Sequence, residues 1–407
     1  MNMNLNLNNH ARFDYLLLIT VLLLVTFGTS MIYSASNFKA SEQHGDSNYF
    51  LKKQLLRVAI GLLFMVLFFY IDYHLLQKNA WMILLASILL LVYVLVAGEK
   101  IHGSRRSFEL MHFAFQPSEG AKYGLIIFLS WFLVQKGKRI EDMNNGLFPV
   151  LTIIGFVLLL IVLEPDLGMA VLILIIALSM LFVSGVKYFH LASLGAIAIG
   201  IIAFILSNFD YQRDRVMSFI YTIRGIKPPQ WQVLQSLISF GNGGLWGLGL
   251  GNSKQKLHFL PQPFTDFIYS IIAEETGFLG AMVILILFLI LLWRGIWIVI
   301  HAKDDYGKLL AFGLTMSLVL YALVSIGISI NLLPVTGISF PFLSYGGSSL
   351  IMNFMAVGIL LNISSQCKQT PVRGVERDYK TSRLTTRSMS SHPTRKRTNG
   401  SKKRFGR

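Results

Sequence analysis

An all-α polytopic membrane fold, about ten transmembrane helices with one large outward-facing loop between the seventh and eighth, is what the sequence predicts. Three observations carry that prediction. The 407 residues are 54% hydrophobic and only 14% charged, with a mean hydropathy of +0.59, an apolar excess that no soluble domain carries. The apolar residues come in uninterrupted runs of roughly membrane-spanning length. The runs show helical periodicity or none, and nothing alternates in the ~10-residue strands of a membrane barrel.

Ten runs serve as spans: Asp14–Ser34, Gln54–Tyr70, Ala80–Ala97, Glu119–Val134, Leu147–Leu163, Leu167–Val183, Phe189–Ser207, Phe267–Ile300, Leu309–Ile330 and Phe342–Ile363. The first is too long for a signal-peptide core and its flank is weakly basic, so it reads as a span. Pro117-Ser118-Glu119 is a helix start for the fourth, and Glu164-Pro165-Asp166 punctuates the fifth and sixth as a tight hairpin. Between the seventh and eighth lies residues 208–264, where Leu and Trp alternate with glycine in GNGGLWGLGLG. Such a segment is a compact loop in which backbone packs closely or takes positive φ. Pro261 and Pro263 stop any regular helix before the eighth span, leaving Thr265 or Asp266 to cap it. That span, read as one straight helix of about 34 residues, is roughly 50 Å long. The turn before the tenth span carries Pro334, Gly337, Pro341, Gly346 and Gly347. Irregular backbone at membrane depth survives where it is buried in protein or lines a wet cavity.

An even number of spans puts both termini on one side. Residues 1–13 form a short cytoplasmic start, 14–364 the transmembrane domain, and 365–407 a Ser/Thr-rich tail with 13 of the 36 Lys and Arg. The tail reads as a disordered cytoplasmic extension drawn to anionic lipid or an acidic partner. With it inside, the positive-inside rule holds. Without it the inner segments carry nine basic residues and the outer loops twelve. Either an anionic ligand is bound outside, or the long loop crosses regardless of charge. One cysteine, Cys367, excludes a disulfide framework, and no Gly-rich nucleotide loop or zinc pattern is present.

Charges within the spans are the candidates for chemistry. Asp266, Ser270, Glu274 and Gly277 recur at helical spacing, one polar stripe among large apolar residues, with Glu275 beside it. Helix capping by Asp266 and ion pairing by Glu274 or Glu275 are the structural alternatives. Glu119 and Lys122 lie three apart on one helix face, either a local pair or a lysine placed for phosphate. Asp166 follows a proline at the hairpin and suits a cap or a ligand contact. Arg105 and Arg106, with Lys52 and Lys53, are either surface charge or an outward anion site.

Taken together, FQPSEGAKYG (115–124), EPDLG (164–168), the stretch from LWGLGLGNSKQKLHFLPQPFTDF through AEETGFLG (245–280) and LLPVTGISFPFLSYGGSS (332–349) resemble the SEDS family of bacterial cell-wall proteins across about residues 12–365. The glycine loop and basic tail are more similar to the cell-division member than to the elongation member. Phe264 stands where the family usually has a histidine, Gln262 where it has a glutamate, and Ser107 where an aromatic commonly follows the arginines.

The resemblance implies a peptidoglycan glycosyltransferase, a hexosyltransferase that polymerises lipid II at the division septum, in the bacterial inner membrane. Asp266 is then the general base. Lys52, Lys53, Arg105, Arg106, Glu119, Lys122, Asp166 and Ser344 become the pyrophosphate and sugar contacts, with Ser270, Glu274 and Glu275 in support. No organic cofactor is implied, whereas a divalent cation (Mg or Mn), held partly by Asp166 or Glu119, is compatible. The implied partners are lipid II, undecaprenyl-pyrophosphate-linked glycan, a class B penicillin-binding transpeptidase, other divisome proteins and the membrane, with no nucleic acid. Lipid II translocation by the same cavity is the competing activity, and an elongation-type polymerase the competing role.

Overall fold

The structure, a computed structural model, describes residues 13–101, 104–110, 113–257, 259–261 and 263–367. The expected disordered tail and most of the short N-terminal segment lie outside the described residues. Thirteen α-helices are present among them: α1 (Tyr15–His44), α2 (Tyr49–Tyr70), α3 (Tyr73–Lys78), α4 (Ala80–Ala97), α5 (Pro117–Lys136), α6 (Phe148–Leu163), α7 (Leu167–Val183), α8 (Tyr188–Asn208), α9 (Asp210–Ile223), α10 (Trp231–Gly243), α11 (Ile268–His301), α12 (Asp305–Ser329) and α13 (Gly347–Ser365). Eight helical stretches are long and apolar enough to cross a membrane, counting α6 with the turn before it as Asn145–Leu163, and α7 is a shorter apolar helix of 17 residues. Helix α5 has 20 residues but carries Glu119, Lys122 and Lys136. Each of the ten apolar runs falls on one of these helices.

Bundle architecture follows from which faces are buried. Helices α5, α12 and α13 are enclosed over most of their length, whereas α8 buries no residue among those described and packs mainly on α7 and α9. An apolar helix exposed all round is what lipid surroundings permit. Side chains tie one end of the bundle together. Asp14 accepts from the Leu17 amide at 3.0 Å as the cap of α1 and pairs with Arg294 at 2.7 Å, while its own amide donates to Ser364 Oγ at 3.2 Å. Nearby, the Tyr73 hydroxyl donates to Asp304, and the Tyr73 amide donates to Asn362 Oδ1 at 3.1 Å. The hairpin at 164–166, α9, α10 and the 331–346 turn gather at the opposite end.

Three local features differ from the sequence reading. A small antiparallel sheet, β1 (Glu99–Ile101), β2 (Ser104–Leu110) and β3 (Phe113–Phe115), joins α4 to α5 where only helices are expected. Its pairing of Phe108 with Phe115 satisfies backbone groups that a loop would leave open. The 208–264 segment is not all loop, for it contains α9 and α10. The amphipathic α10 buries Val233, Gln235, Ser236 and Ser239 against the bundle.

The third difference is the largest: the expected straight eighth span is broken at Gly277, whose φ of 71° and ψ of −172° no helix accommodates. The two halves fold against each other, so that the Tyr269 hydroxyl reaches the Ala281 carbonyl at 3.1 Å. Twelve residues of straight helix would separate the two residues by roughly 18 Å along the axis. A break normally leaves helix-end amides and carbonyls without partners. Here the glycine loop supplies them. Leu248 and Gly249 amides donate to the carbonyls of Glu274 and Glu275, both at 3.0 Å, and the Phe278 amide donates to the Gly244 carbonyl at 2.9 Å.

Candidate active site

The break and its loop set the backbone of the site. Two buried carboxylates beside the break hold the loop by its own groups. Glu275 accepts from Ser34 Oγ at 2.7 Å, from the Gly251 amide at 3.0 Å and from Lys256 Nζ at 3.2 Å. Glu274 accepts from the Ser253 hydroxyl, from Asn242 Nδ2 at 3.2 Å and from the Gln255 amide at 3.3 Å. Ser270, one turn earlier, shares a hydrogen bond with Ser236, whose hydroxyl also donates to the Ser329 carbonyl at 2.6 Å. Charges buried this deeply persist because each is paired or multiply hydrogen-bonded.

Asp266 lies downstream of that anchored loop, in the turn 263–267 rather than in the helix. Helix α11 begins at Ile268, with Phe267 and not Thr265 or Asp266 as its N-cap residue. The Asp266 side chain is half-buried, and one carboxylate oxygen stands 3.6 Å from where a Cβ on Gly337 would lie. Gly337 has a φ of 70°, which lets the 334–338 backbone turn beside the carboxylate.

Asp266 opens onto a cavity of about 860 Å³ shared with Asp166, Gln212, Arg215, Gln232 and Thr336. Its remaining walls are apolar, from α7, α8 and the 333–338 turn, including Leu172, Ile202 and Val335. Volume and lining suit a sizeable amphipathic ligand. Asp166 caps α7 by accepting from the Met169 amide at 3.1 Å and also accepts from Gln116 Nε2 at 3.3 Å. Arg215 of α9 reaches the Val335 carbonyl at 3.4 Å. Gln212, one turn before it, donates to the Pro165 carbonyl at 3.2 Å, fixing α9 across the hairpin. The Thr336 hydroxyl is buried with no hydrogen-bond partner among the described residues.

The other sequence candidates stand elsewhere. Lys122 and Glu119 pair at 2.7 Å in the interior of α5, and the Lys122 ammonium sits 4.0 Å from the Tyr321 ring centroid. They are absent from the cavity lining, so this lysine neutralises its own helix's glutamate. Lys52 pairs with Asp46 at 2.8 Å on the surface. That hydrogen bond from Lys52, and then one from the Asn48 amide, hold the Asp46 carboxyl below the ordinary carboxylate range. Lys53 donates to the Tyr49 hydroxyl at 2.6 Å, and Ser344 donates to the Phe340 carbonyl at 3.0 Å. Arg105 and Arg106 belong to β2, and their side chains lie outside the described residues. Sequence reasoning passed over Arg215 because it is one of many basic residues in the long loop. Only the packing of α9 on the hairpin brings it to the cavity that Asp266 also lines.

Among the described residues no group of three or more His, Cys, Asp or Glu side chains that could hold a metal ion occurs; Glu119 pairs with Lys122, and Asp166 accepts from an amide and a carboxamide.

Comparison with known proteins gives one answer at three levels. The FTSW_RODA_SPOVE family, described as cell cycle protein, matches residues 14–369. A "Probable peptidoglycan glycosyltransferase FtsW" of Geobacter sulfurreducens is 37% identical over 373 residues, covering 91% of this chain and 100% of that one. "Stage V sporulation protein E" of Bacillus subtilis is 41% identical over 354 residues, covering 86% of this chain and 96% of that one. Among solved structures, a chain from a peptidoglycan synthase complex superposes with a TM-score of 0.72 at 29% identity, covering 87% and 98% of the two chains. The rod shape determining protein RodA of Thermus thermophilus superposes with a TM-score of 0.64 at 27% identity, covering 88% and 99%. A family match over nearly the whole membrane domain, with relatives that align end to end, places this chain in the FtsW/RodA/SpoVE family of cell cycle proteins, the SEDS family.

Proposed function

We propose that the protein polymerises lipid II into glycan strands, with Asp266 as general base, during septal wall synthesis. The observation that carries the reading is Asp266 facing, with Arg215, a large part-apolar cavity at one end of a multi-span bundle. An alcohol is a poor nucleophile until its proton is taken, and a half-buried carboxylate on a fixed turn suits that task. The 4-hydroxyl of the acceptor GlcNAc loses its proton to Asp266 while its oxygen bonds to the donor's anomeric carbon. The bond from that carbon to the undecaprenyl pyrophosphate oxygen breaks on the opposite face, inverting the centre. Arg215 supplies positive charge for the departing pyrophosphate. Asp166 and Thr336 offer polar contacts to the sugars. The apolar wall from α7 and α8 accepts the start of the polyprenyl chain.

The relatives' names support the transferase class, and the synthase complex supports a penicillin-binding transpeptidase as the partner that cross-links the new strand. The 41%-identical sporulation relative makes a sporulation or elongation role the alternative to division. Both described ends of the chain lie at the end of the bundle away from the cavity, which suits cytoplasmic termini and an outward-facing site. The decisive experiment is polymerisation of labelled lipid II by the purified protein with its cognate transpeptidase. Wild type is expected to make strands, and folded Asp266→Ala to lose activity by about 10²–10⁴-fold. Equal activity in both would remove Asp266 as the base.

A further inference from the structure

Near the Asp266 turn, and outside the cavity lining, lies a buried cation that the proposed reaction leaves unused. Helix α2 buries Gln54, Arg57, Gly61 and Met65, one stripe along its length. The lower part of the stripe is closed by α13, where Gly61 meets the Phe354 ring and Met65 meets Gly358. The upper part meets the turn before α13, and there the guanidinium of Arg57 sits 4.1 Å from the Tyr345 ring centroid.

Arg57 is 8% exposed and Gln54 is fully buried. Nε and Nη1 of Arg57 and both amide atoms of Gln54 have no hydrogen-bond partner among the described residues, and no carboxylate among them pairs with the guanidinium. Buried charges are ordinarily paired, because desolvation without a counter-charge is costly. Stacking on Tyr345 offsets only part of that cost. Around this pair stand Phe50, Phe264 and Tyr345, with ring centroids 4.9 to 5.6 Å apart. Lys39 lies 5.5 Å from the Phe264 ring, and Lys53 lies over Tyr49, which contacts Phe50. The Tyr345 amide donates to the Phe264 carbonyl at 2.8 Å, two residues before Asp266.

We propose that Arg57 and Gln54 form the floor of a second anion site, which takes the phosphate or pyrophosphate head of a membrane-borne lipid beside the rings of Phe50, Phe264 and Tyr345. The guanidinium fork matches phosphate oxygens, and the Gln54 amide adds a neutral donor. Lys39 and Lys53 attract the anion at the rim. An occupant here lies beside the turn that carries Asp266, against residues that do not line the cavity.

The test is direct binding, so it does not depend on the reaction proposed above. Full-length protein in zwitterionic-lipid nanodiscs is titrated with undecaprenyl pyrophosphate, phosphatidylglycerol and inorganic pyrophosphate, reading thermal stability and affinity. One of the two lipids is expected to raise the melting temperature of wild type, and which one does so identifies the source of the phosphate. Arg57→Gln is expected to lower that lipid's affinity by at least about tenfold. Arg57→Met is expected to shrink the shift while leaving the ligand-free melting temperature equal or higher, since a buried unpaired charge has been removed. An ordinary packing residue would show the reverse, a less stable protein that binds as before, and that result overturns the inference. So does a lipid-induced shift of equal size in wild type and Arg57→Gln, or a wild type that responds to neither lipid.

Discussion

Asp266 and Arg215 show how differently two members of one site are written in a sequence. Asp266 is legible because it follows two prolines and precedes a long apolar run, a place where an unneeded charge is expensive. Arg215 is not, because its role depends on α9 lying across the 164–166 hairpin, a contact between segments about 50 residues apart. The same limit applies to Lys122, whose i, i+3 spacing from Glu119 is equally consistent with a local pair, the arrangement found. If Arg215 is the cavity's cation for the departing pyrophosphate, Arg215→Ala should lower kcat of lipid II polymerisation by about 10²-fold or more. Arg215→Lys should recover part of that loss, because charge persists while the planar fork does not. A variant with raised KM and unchanged kcat would instead mark Arg215 as a ground-state contact.

At the scale of elements, all ten apolar runs appear as helices, while the break in α11 was hidden. A glycine within an apolar run is commonly tolerated in a helix, so Gly277 gave no distinct signal. The paired signal was the glycine-rich loop, whose positive φ angles at Gly247 and Gly249 let it approach and cap the break. A Cβ on Gly277 would overlap the Gly247 nitrogen and the Leu245 carbonyl, and its φ of 71° is itself unfavourable. Gly277→Ala should therefore destabilise the fold by at least about 1–3 kcal/mol, seen as a lower melting temperature, and should displace the Asp266 turn enough to depress polymerisation. An unchanged melting temperature would mean that the segment straightens without cost. The ion pair holding the loop offers a sharper test. Lys256→Met leaves Glu275 buried without its cation, a loss of about 3–5 kcal/mol. Adding Glu275→Gln removes the stranded charge, so the double variant should be more stable than Lys256→Met alone. Additive losses would show that the pair acts only through packing.

At the scale of the molecule, composition and hydropathy were enough to read a polytopic helical membrane protein, whereas orientation was not, because outer basic residues outnumber inner ones once the tail is set aside. The fold resolves which groups share an end. Asp14, Tyr73, Arg294, Asp304 and Ser364 bond across five helices at one end, and the cavity with Asp166, Arg215 and Asp266 opens at the other. A polymerase of the kind proposed above, using a substrate presented outside the cell, needs the cavity end outside. This fixes the outcome of a labelling experiment in a Cys367→Ser background. Lys227→Cys, exposed after α9 at the cavity end, should react with a membrane-impermeant maleimide in intact spheroplasts. Lys303→Cys, exposed between α11 and α12 at the tied end, should react only after the membrane is opened. The reverse pattern would place Asp266 and Arg215 in the cytoplasm, where lipid II has not yet been translocated, and the assignment of this cavity to strand polymerisation would fall with it.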